Sequence, residues 1–273
     1  MLIAITRDVS ASLGDCQLSF VERDAIDIQR AASQHRAYRQ ALASLGCRVL
    51  SLPAQDAMPD AVFIEDVAVV LDEIAIMTRP GADSRRAEGA SVAEVLARYR
   101  PLRMIAAPGM LDGGDVLHVG RNVYVGQSAR SNASGIDQLR MHLAEFGYTV
   151  QGVTTRGCLH LKSAVTQVAG NTLLIQPELV DRSVFAGYCL IDVDPSEPHA
   201  ANALRVGAGV VGDRMASDRM AGTGVIYPAC FPRTQRRMME AGINVTAIDL
   251  SELQKAEGAT TCCSLVFREM ASA

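Results

Sequence analysis

Apolar residues cluster over 2–6 and again over 48–52, and between them Ala31, His35, Tyr38, Leu42 and Leu45 recur at helical spacing. The pattern predicts a strand, a polar loop through Leu18, an amphipathic helix from about 27 to 45, and a second strand, with Gly46 as the helix stop. From Val62 an apolar run to Leu71 reads as one arm of a hairpin, Asp72 and Glu73 as its turn, and 74–78 as the other arm. A loop and a helix through Tyr99 follow. Leu111 onwards repeats the design: a hairpin turning at Gly120-Arg121-Asn122, a loop over 128–135, and a helix over 136–146. Residues 160–175 form a further hairpin, and 225–250 give a loop, a helix over 233–241 and a strand.

The loops of the second and third units echo each other, each with arginine shortly before a glycine that precedes an apolar helix, at a spacing of about 45 residues. A repeat of this length predicts five α/β modules arranged round an axis. Closure into a ring removes exposed sheet edges and gathers corresponding loops at one end. The expectation is therefore one catalytic domain over 1–273. The segment 207–224, rich in glycine and polar residues, is the least patterned stretch and carries no chemistry in this reading.

Composition narrows the partners. Hydrophobic residues make up 49% of the 273 positions, enough to build a core without metals or disulfides. A net charge of −4, with no run of Lys or Arg, argues against nucleic acid or an anionic membrane as partner. The first residues lack a basic start and a cleavage signature and read as a strand, and no run is long enough to span a bilayer. Seven scattered cysteines, without metal-ligand spacing, fit reduced thiols in the cytoplasm. A homodimer is left open.

Three places put charge where the strand pattern does not explain it. Asp60, Glu65 and Asp66 lie in and before the second module's hairpin, Asp112 and Asp115 flank Gly113-Gly114, and His160 with Lys162 opens the fourth module. Burying unpaired charge costs several kcal/mol, so such acids call for partners. Taken singly, each has an ordinary explanation: a solvated strand edge, a capped Gly-Gly turn, a core imidazole. Near the C-terminus, Gly258-Ala259-Thr260-Thr261-Cys262-Cys263 leads into the β-prone Leu265-Val266-Phe267 and places a thiol at a strand end. Thiol, imidazole and acids at one end of a ring suit one substrate class. Paired acids hold a planar guanidinium while the thiolate attacks its central carbon, and Arg85, Arg86 and Arg130 clamp a carboxylate at the ligand's other end.

Five motifs in register, Pro59-Asp60-x-Val62-Phe63-x-Glu65-Asp66, Thr78-Arg79-Pro80-Gly81-Ala82, Leu111-Asp112-Gly113-Gly114-Asp115, Leu159-His160-Leu161-Lys162-Ser163 and Thr261-Cys262-Cys263-Ser264, resemble dimethylarginine dimethylaminohydrolases among the guanidino-group-modifying enzymes. The resemblance implies a five-module αββαβ propeller of the pentein type with its active site on the central axis. It also implies hydrolysis of Nω-methylated arginines to citrulline and a methylamine, without metal or organic cofactor. Position by position it implies Cys262 as nucleophile, His160 as general acid and base, and Asp112 as the acid that orients it. Asp66 and Glu65 would take guanidinium nitrogens, Asp60 would lie near the α-amino group, Arg85 and Arg130 would hold the carboxylate, and Leu18 would sit on a lid spanning 10–18. Cys263, next to the nucleophile, faces the other way and packs. Ala259-Thr260 and the 207–224 segment depart from the family's pattern and bear on substrate preference. Arginine deiminase chemistry on the same scaffold, and an inactive arginine-binding protein, are the alternatives.

Overall fold

A computed structural model describes residues 1–207 and 223–269. The least patterned stretch, 207–224, therefore lies almost wholly outside the described residues.

The chain forms fifteen strands among the described residues, grouped in five three-stranded sheets. In the first, β1 (Leu2–Arg7) lies between β2 (Cys47–Leu52), parallel to it, and the C-terminal β15 (Leu265–Arg268), antiparallel to it. The other four are built alike, each with an antiparallel hairpin and a parallel third strand. They comprise β3 (Ala68–Val70), β4 (Ala75–Met77) and β5 (Leu102–Met104); β6 (Val116–Val119), β7 (Asn122–Gln127) and β8 (Thr149–Thr154); β9 (Val165–Ala169), β10 (Thr172–Ile175) and β11 (Cys189–Asp192); and β12 (Leu204–Val206), β13 (Gly224–Pro228) and β14 (Val245–Ile248). A parallel third strand needs a crossover. Helices α1 (Ile28–Ser44), α2 (Ala90–Leu96), α3 (Ala133–Leu143) and α4 (Pro232–Glu240) supply it in four modules, and a 3-10 turn at Arg182–Phe185 in the fifth. A last helix, α5 (Ser251–Gln254), precedes β15. This is the five-module α/β propeller expected from the repeat.

The first strands of the sheets are neighbours round the axis: β15 lies beside β3, β6 beside β9, and β9 beside β12. Core packs between modules and under the helices. In α1, Ala31, His35, Tyr38 and Leu42 are buried on one stripe, and each large apolar side chain so buried contributes about 2 kcal/mol. Asp27 caps this helix by accepting from Arg30 N, and Gly46, at φ +87°, ends it as the sequence implies.

Two elements differ from the sequence expectation. The strand expected from Val62 begins only at Ala68, because Ile64–Val67 form a 3-10 turn. Tertiary packing imposes that break: a Cβ on Gly113 would lie 2.0 Å from the Glu65 carbonyl, so only glycine lets the two turns meet. Helix α3 starts at Ala133 rather than 136, since Asn132 accepts from Gly135 N and caps it. No helix among the described residues is long and apolar enough to cross a membrane.

Candidate active site

The same local device recurs before the axial strand of four of the five modules. A tight turn carrying polar side chains runs into the strand at the axis: Ile64–Val67 before β3, Gly113–Asp115 before β6, Leu161–Ser163 before β9, and the turn at 260–263 before β15. Glu65 and Asp66, Asp112 and Asp115, His160 and Lys162, and Thr261 and Cys262 all belong to or directly adjoin these turns. Turns admit what strand pairing forbids, adjacent polar side chains whose backbone need not satisfy a ladder.

Cys262, His160, Asp66, Asp60, Arg85 and Arg130 line one pocket, so the structure brings together six of the nine candidates. Gln17, Phe63, Leu159, Ala256 and Glu257 complete its wall. Asp112 sits behind it, wholly buried, with Oδ2 3.0 Å from His160 Nε2 and Oδ1 accepting from Gly81 N at 2.9 Å. Asp115 anchors the surrounding loops, accepting from Ser128, Ser131 and the Leu161 backbone. Asp66 accepts from Gly114 N at 2.9 Å and from Arg85 Nη1 at 2.6 Å, and its Oδ1 is 3.9 Å from His160 Nε2. A Cβ on Gly114 would lie 2.6 Å from His160 Nδ1 and 2.8 Å from Asp66 Oδ1, so the glycine admits both groups to one spot.

This arrangement fixes protonation. Burial raises Asp66, but the charges of His160 and Arg85 overcome it and pull the acid down to about 2. Burial likewise opposes charge on His160. The Asp66 charge, the Asp112 hydrogen bond and the Asp115 charge outweigh it and lift the imidazole to about 9. Cys262 is pushed up to about 12, by burial first and then by the negative charges of Glu65 and Asp66. The unliganded pocket thus holds an imidazolium and a neutral thiol at pH 7, beside carboxylates whose field favours a cationic guest. Asp66, Asp112 and His160 bring three ligand atoms within 4.8 Å of one another. Their lone pairs are taken by Arg85, Gly114, Gly81 and each other, which describes a hydrogen-bonded network rather than an open donor set.

Three candidates fall elsewhere or are more tightly bound than expected. Glu65 is not on this pocket: Lys162 Nζ donates to its Oε1 and Thr261 Oγ1 to its Oε2 at 2.7 Å, and it lines a cavity with Lys162 and Thr261 instead. The neighbouring half-buried Lys162 claimed the acid, which spacing could not foresee. Leu18 packs against the hydrophobic cluster under α1, and its neighbour Gln17 lines the pocket. Arg85 reaches the wall, but its Nε and Nη2 go to Glu88 and to the carbonyls of Asp60 and Phe63. Only one Nη1 hydrogen is left over for a ligand. Arg86 turns away to Pro80 O and Asp83.

Cys262 and Cys263 lie in a turn, not on the strand, yet they still separate: Cys262 faces the pocket and Cys263 is fully buried in the core cluster. The sequence reading missed Asn202. It occupies the corresponding place before β12, with Oδ1 accepting from Thr260 Oγ1 and Thr261 N, and Nδ2 donating to Thr261 Oγ1 and Lys162 O. Its position ahead of a module's first strand was the available signal.

Comparison with known proteins agrees with this geometry. A family profile described as N,N dimethylarginine dimethylhydrolase, eukaryotic, matches residues 6–268. The chain is 36% identical over 269 residues to the N(G),N(G)-dimethylarginine dimethylaminohydrolase of Streptomyces coelicolor, covering 98% of this chain and 97% of that one. It is 35% identical over 243 residues to the enzyme of that name from Pseudomonas aeruginosa, covering 88% and 90%. A crystal structure of the Pseudomonas aeruginosa protein, a cysteine-to-serine mutant complexed with citrulline, superimposes with a TM-score of 0.87 at 33% identity, over 97% of this chain and 98% of that one. The N-terminal domain of ArgZ, an arginine dihydrolase, shares the fold at 20% identity, with a TM-score of 0.82 over 98% of each chain.

Proposed function

The chain belongs to the dimethylarginine dimethylaminohydrolase family, and on that premise we propose that it hydrolyses Nω-methylated arginines to citrulline and a methylamine through a covalent intermediate on Cys262. One observation carries the assignment of residues. A single pocket is lined by Cys262, His160 and Asp66 and also by Asp60 and Arg130, the groups that complement a guanidinium and an amino-acid head.

The substrate's own charge activates the thiol. Burial and the acids keep Cys262 protonated, and a guanidinium seated against Asp66 offsets that field and lowers the cost of the thiolate, whose proton leaves to solvent because His160 already carries one. Sulfur attacks the guanidinium carbon and forms a tetrahedral adduct. His160, already protonated, gives a proton to the departing methylamine as its C–N bond breaks. The resulting thiouronium is attacked by water, whose proton passes to His160. Collapse of that second adduct breaks the C–S bond, releases citrulline and restores the thiol. Asp112 holds the imidazole in orientation and stabilises its charge, the role of a buried partner acid.

Asp60 and Arg130 take the ammonium and carboxylate of the substrate, with Arg85 contributing its remaining Nη1 hydrogen and otherwise bracing Asp66. All seven cysteines are free thiols, which supports a reducing, cytoplasmic setting for one catalytic domain. Purified protein should release citrulline and dimethylamine from asymmetric dimethylarginine, with loss of turnover in Cys262→Ser and Cys263→Ser still active. Faster turnover of unmethylated arginine would instead make it a deiminase. Unchanged citrulline formation in Cys262→Ser would end the covalent reading.

A further inference from the structure

The chemistry above gives no part to Glu257, although it lines the same pocket as Asp60 and Arg130. Its backbone sits at φ +58°, in the left-handed region that side chains other than glycine rarely enter, so the surroundings hold it there against its preference. Its Oε1 accepts from three consecutive backbone N–H groups, those of Ser19 at 2.9 Å, Phe20, and Val21 at 2.9 Å. Its Oε2 is buried and has no hydrogen-bond partner among the described residues.

The segment that Glu257 grips is tied to the pocket at two further points. Gln17 N donates to Asp60 at 3.1 Å, and Arg130 Nη2 donates to Ser19 Oγ at 3.3 Å. Residues 17–21 are thus bonded to three side chains that line the pocket, Asp60, Arg130 and Glu257. A buried carboxylate oxygen without a donor is costly, and a cation is the guest that relieves it.

We propose that Glu257 couples recognition of the substrate's α-ammonium to closure of the 17–21 segment: Oε1 holds the segment, and Oε2 joins Asp60 in receiving the ammonium. This rests on the pocket being a methylarginine site, and deepens that reading by making a free α-amino group a requirement of tight binding. With Arg130 beside them, the two carboxylates complement a zwitterionic head, while an N-acylated residue within a peptide would leave Oε2 unpaired and excludes itself.

The test compares asymmetric dimethylarginine with the same compound lacking its α-amino group. Glu257→Gln keeps an oxygen for the three N–H groups but loses the charge. It should raise KM for dimethylarginine about tenfold, leave kcat within about twofold, and leave KM for the des-amino compound unchanged. Amide exchange at 19–21 should stay slow in Glu257→Gln and accelerate in ligand-free Glu257→Ala. Equal KM changes for both compounds in Glu257→Gln, or none, would overturn the ammonium role; unaltered exchange in Glu257→Ala would overturn the latch. Calorimetric binding of L-citrulline against its des-amino counterpart reads the same discrimination without turnover, so an inactive enzyme would count against the methylarginine reading alone. Equal affinity of the wild-type protein for the two citrullines, or no binding of either, would count against Glu257.

Discussion

The hydroxyl of Tyr38, in the middle of α1, donates to the carbonyl of Thr260 at 2.8 Å, two residues before Cys262. The same oxygen lies 2.6 Å from Ser264 Oγ, so one fully buried side chain braces both flanks of the Cys262 turn. The stripe that gives the helix its core face thereby also sets the position of the thiol.

Tyr38→Phe should therefore lower both stability and rate. It leaves a buried carbonyl without its donor, at a cost of about 1–3 kcal/mol. A turn freed to shift should reduce kcat about tenfold with KM little changed. Urea denaturation and steady-state kinetics check the two halves separately.

The pair formed by the buried Glu65 and the half-buried Lys162 should behave as a unit. Burial raises the Glu65 acid while Lys162 and Thr261 hold it down, so removing the cation strands a buried charge. Lys162→Met should cost about 3–5 kcal/mol, and adding Glu65→Gln should recover most of it. Thermal unfolding of the two variants gives the coupling.

Alkylation of ligand-free protein by iodoacetamide, read at the Cys262 peptide by mass spectrometry because Cys189 and Cys230 are exposed free thiols, reports this thiol. With Cys262 near 12, its rate should still be climbing at pH 10. A bound guanidinium that cannot react should shift the Cys262 titration to lower pH, in proportion to occupancy. A plateau below pH 8 without ligand would contradict the activation by substrate argued above.

Two histidines should shape stability in opposite directions. His35 is held down to about 4, by burial first and then by Arg39, while Asp8 and a bond with the Cys263 backbone act the other way. Its native value lies below the unfolded 6.5, so its stabilisation is present above 6.5 and is lost as pH falls from 6.5 through 4, by about 3 kcal/mol. His160 lies above its unfolded value, so its contribution is complete below 6.5 and is lost as pH rises through 9. Denaturation midpoints against pH should flatten on the acid side in His35→Gln and on the alkaline side in His160→Asn.

Much of this was legible in the sequence because it was periodic. The α1 stripe, the hairpins and the repeat of arginine-bearing loops each follow from spacing, and they suffice for five α/β modules. The motifs around Asp112, His160 and Cys262 lie on turns that precede axial strands, with Asp112 bonded to His160 and His160 sharing a pocket with Cys262. What spacing could not carry was allocation among neighbours of similar type. Glu65 and Asp66 are adjacent and chemically alike, yet one pairs with Lys162 and the other faces His160 and Arg85. Glu257 gave no periodic signal, and Asn202 none beyond its place before a strand, since the partners of both lie far away in sequence.

The pairing of β15 with β1 has a consequence for how the protein is made. On the ribosome, β1 emerges more than 250 residues ahead of its partner Leu265–Arg268. Until then one edge of β1 stands open, the ring is unclosed, and the turn bearing Cys262 has no strand to follow it. Chains arrested between residues 258 and 261 therefore carry every acid, arginine and imidazole that lines the pocket but not Cys262, and the pocket cannot acquire its thiol before that turn is made.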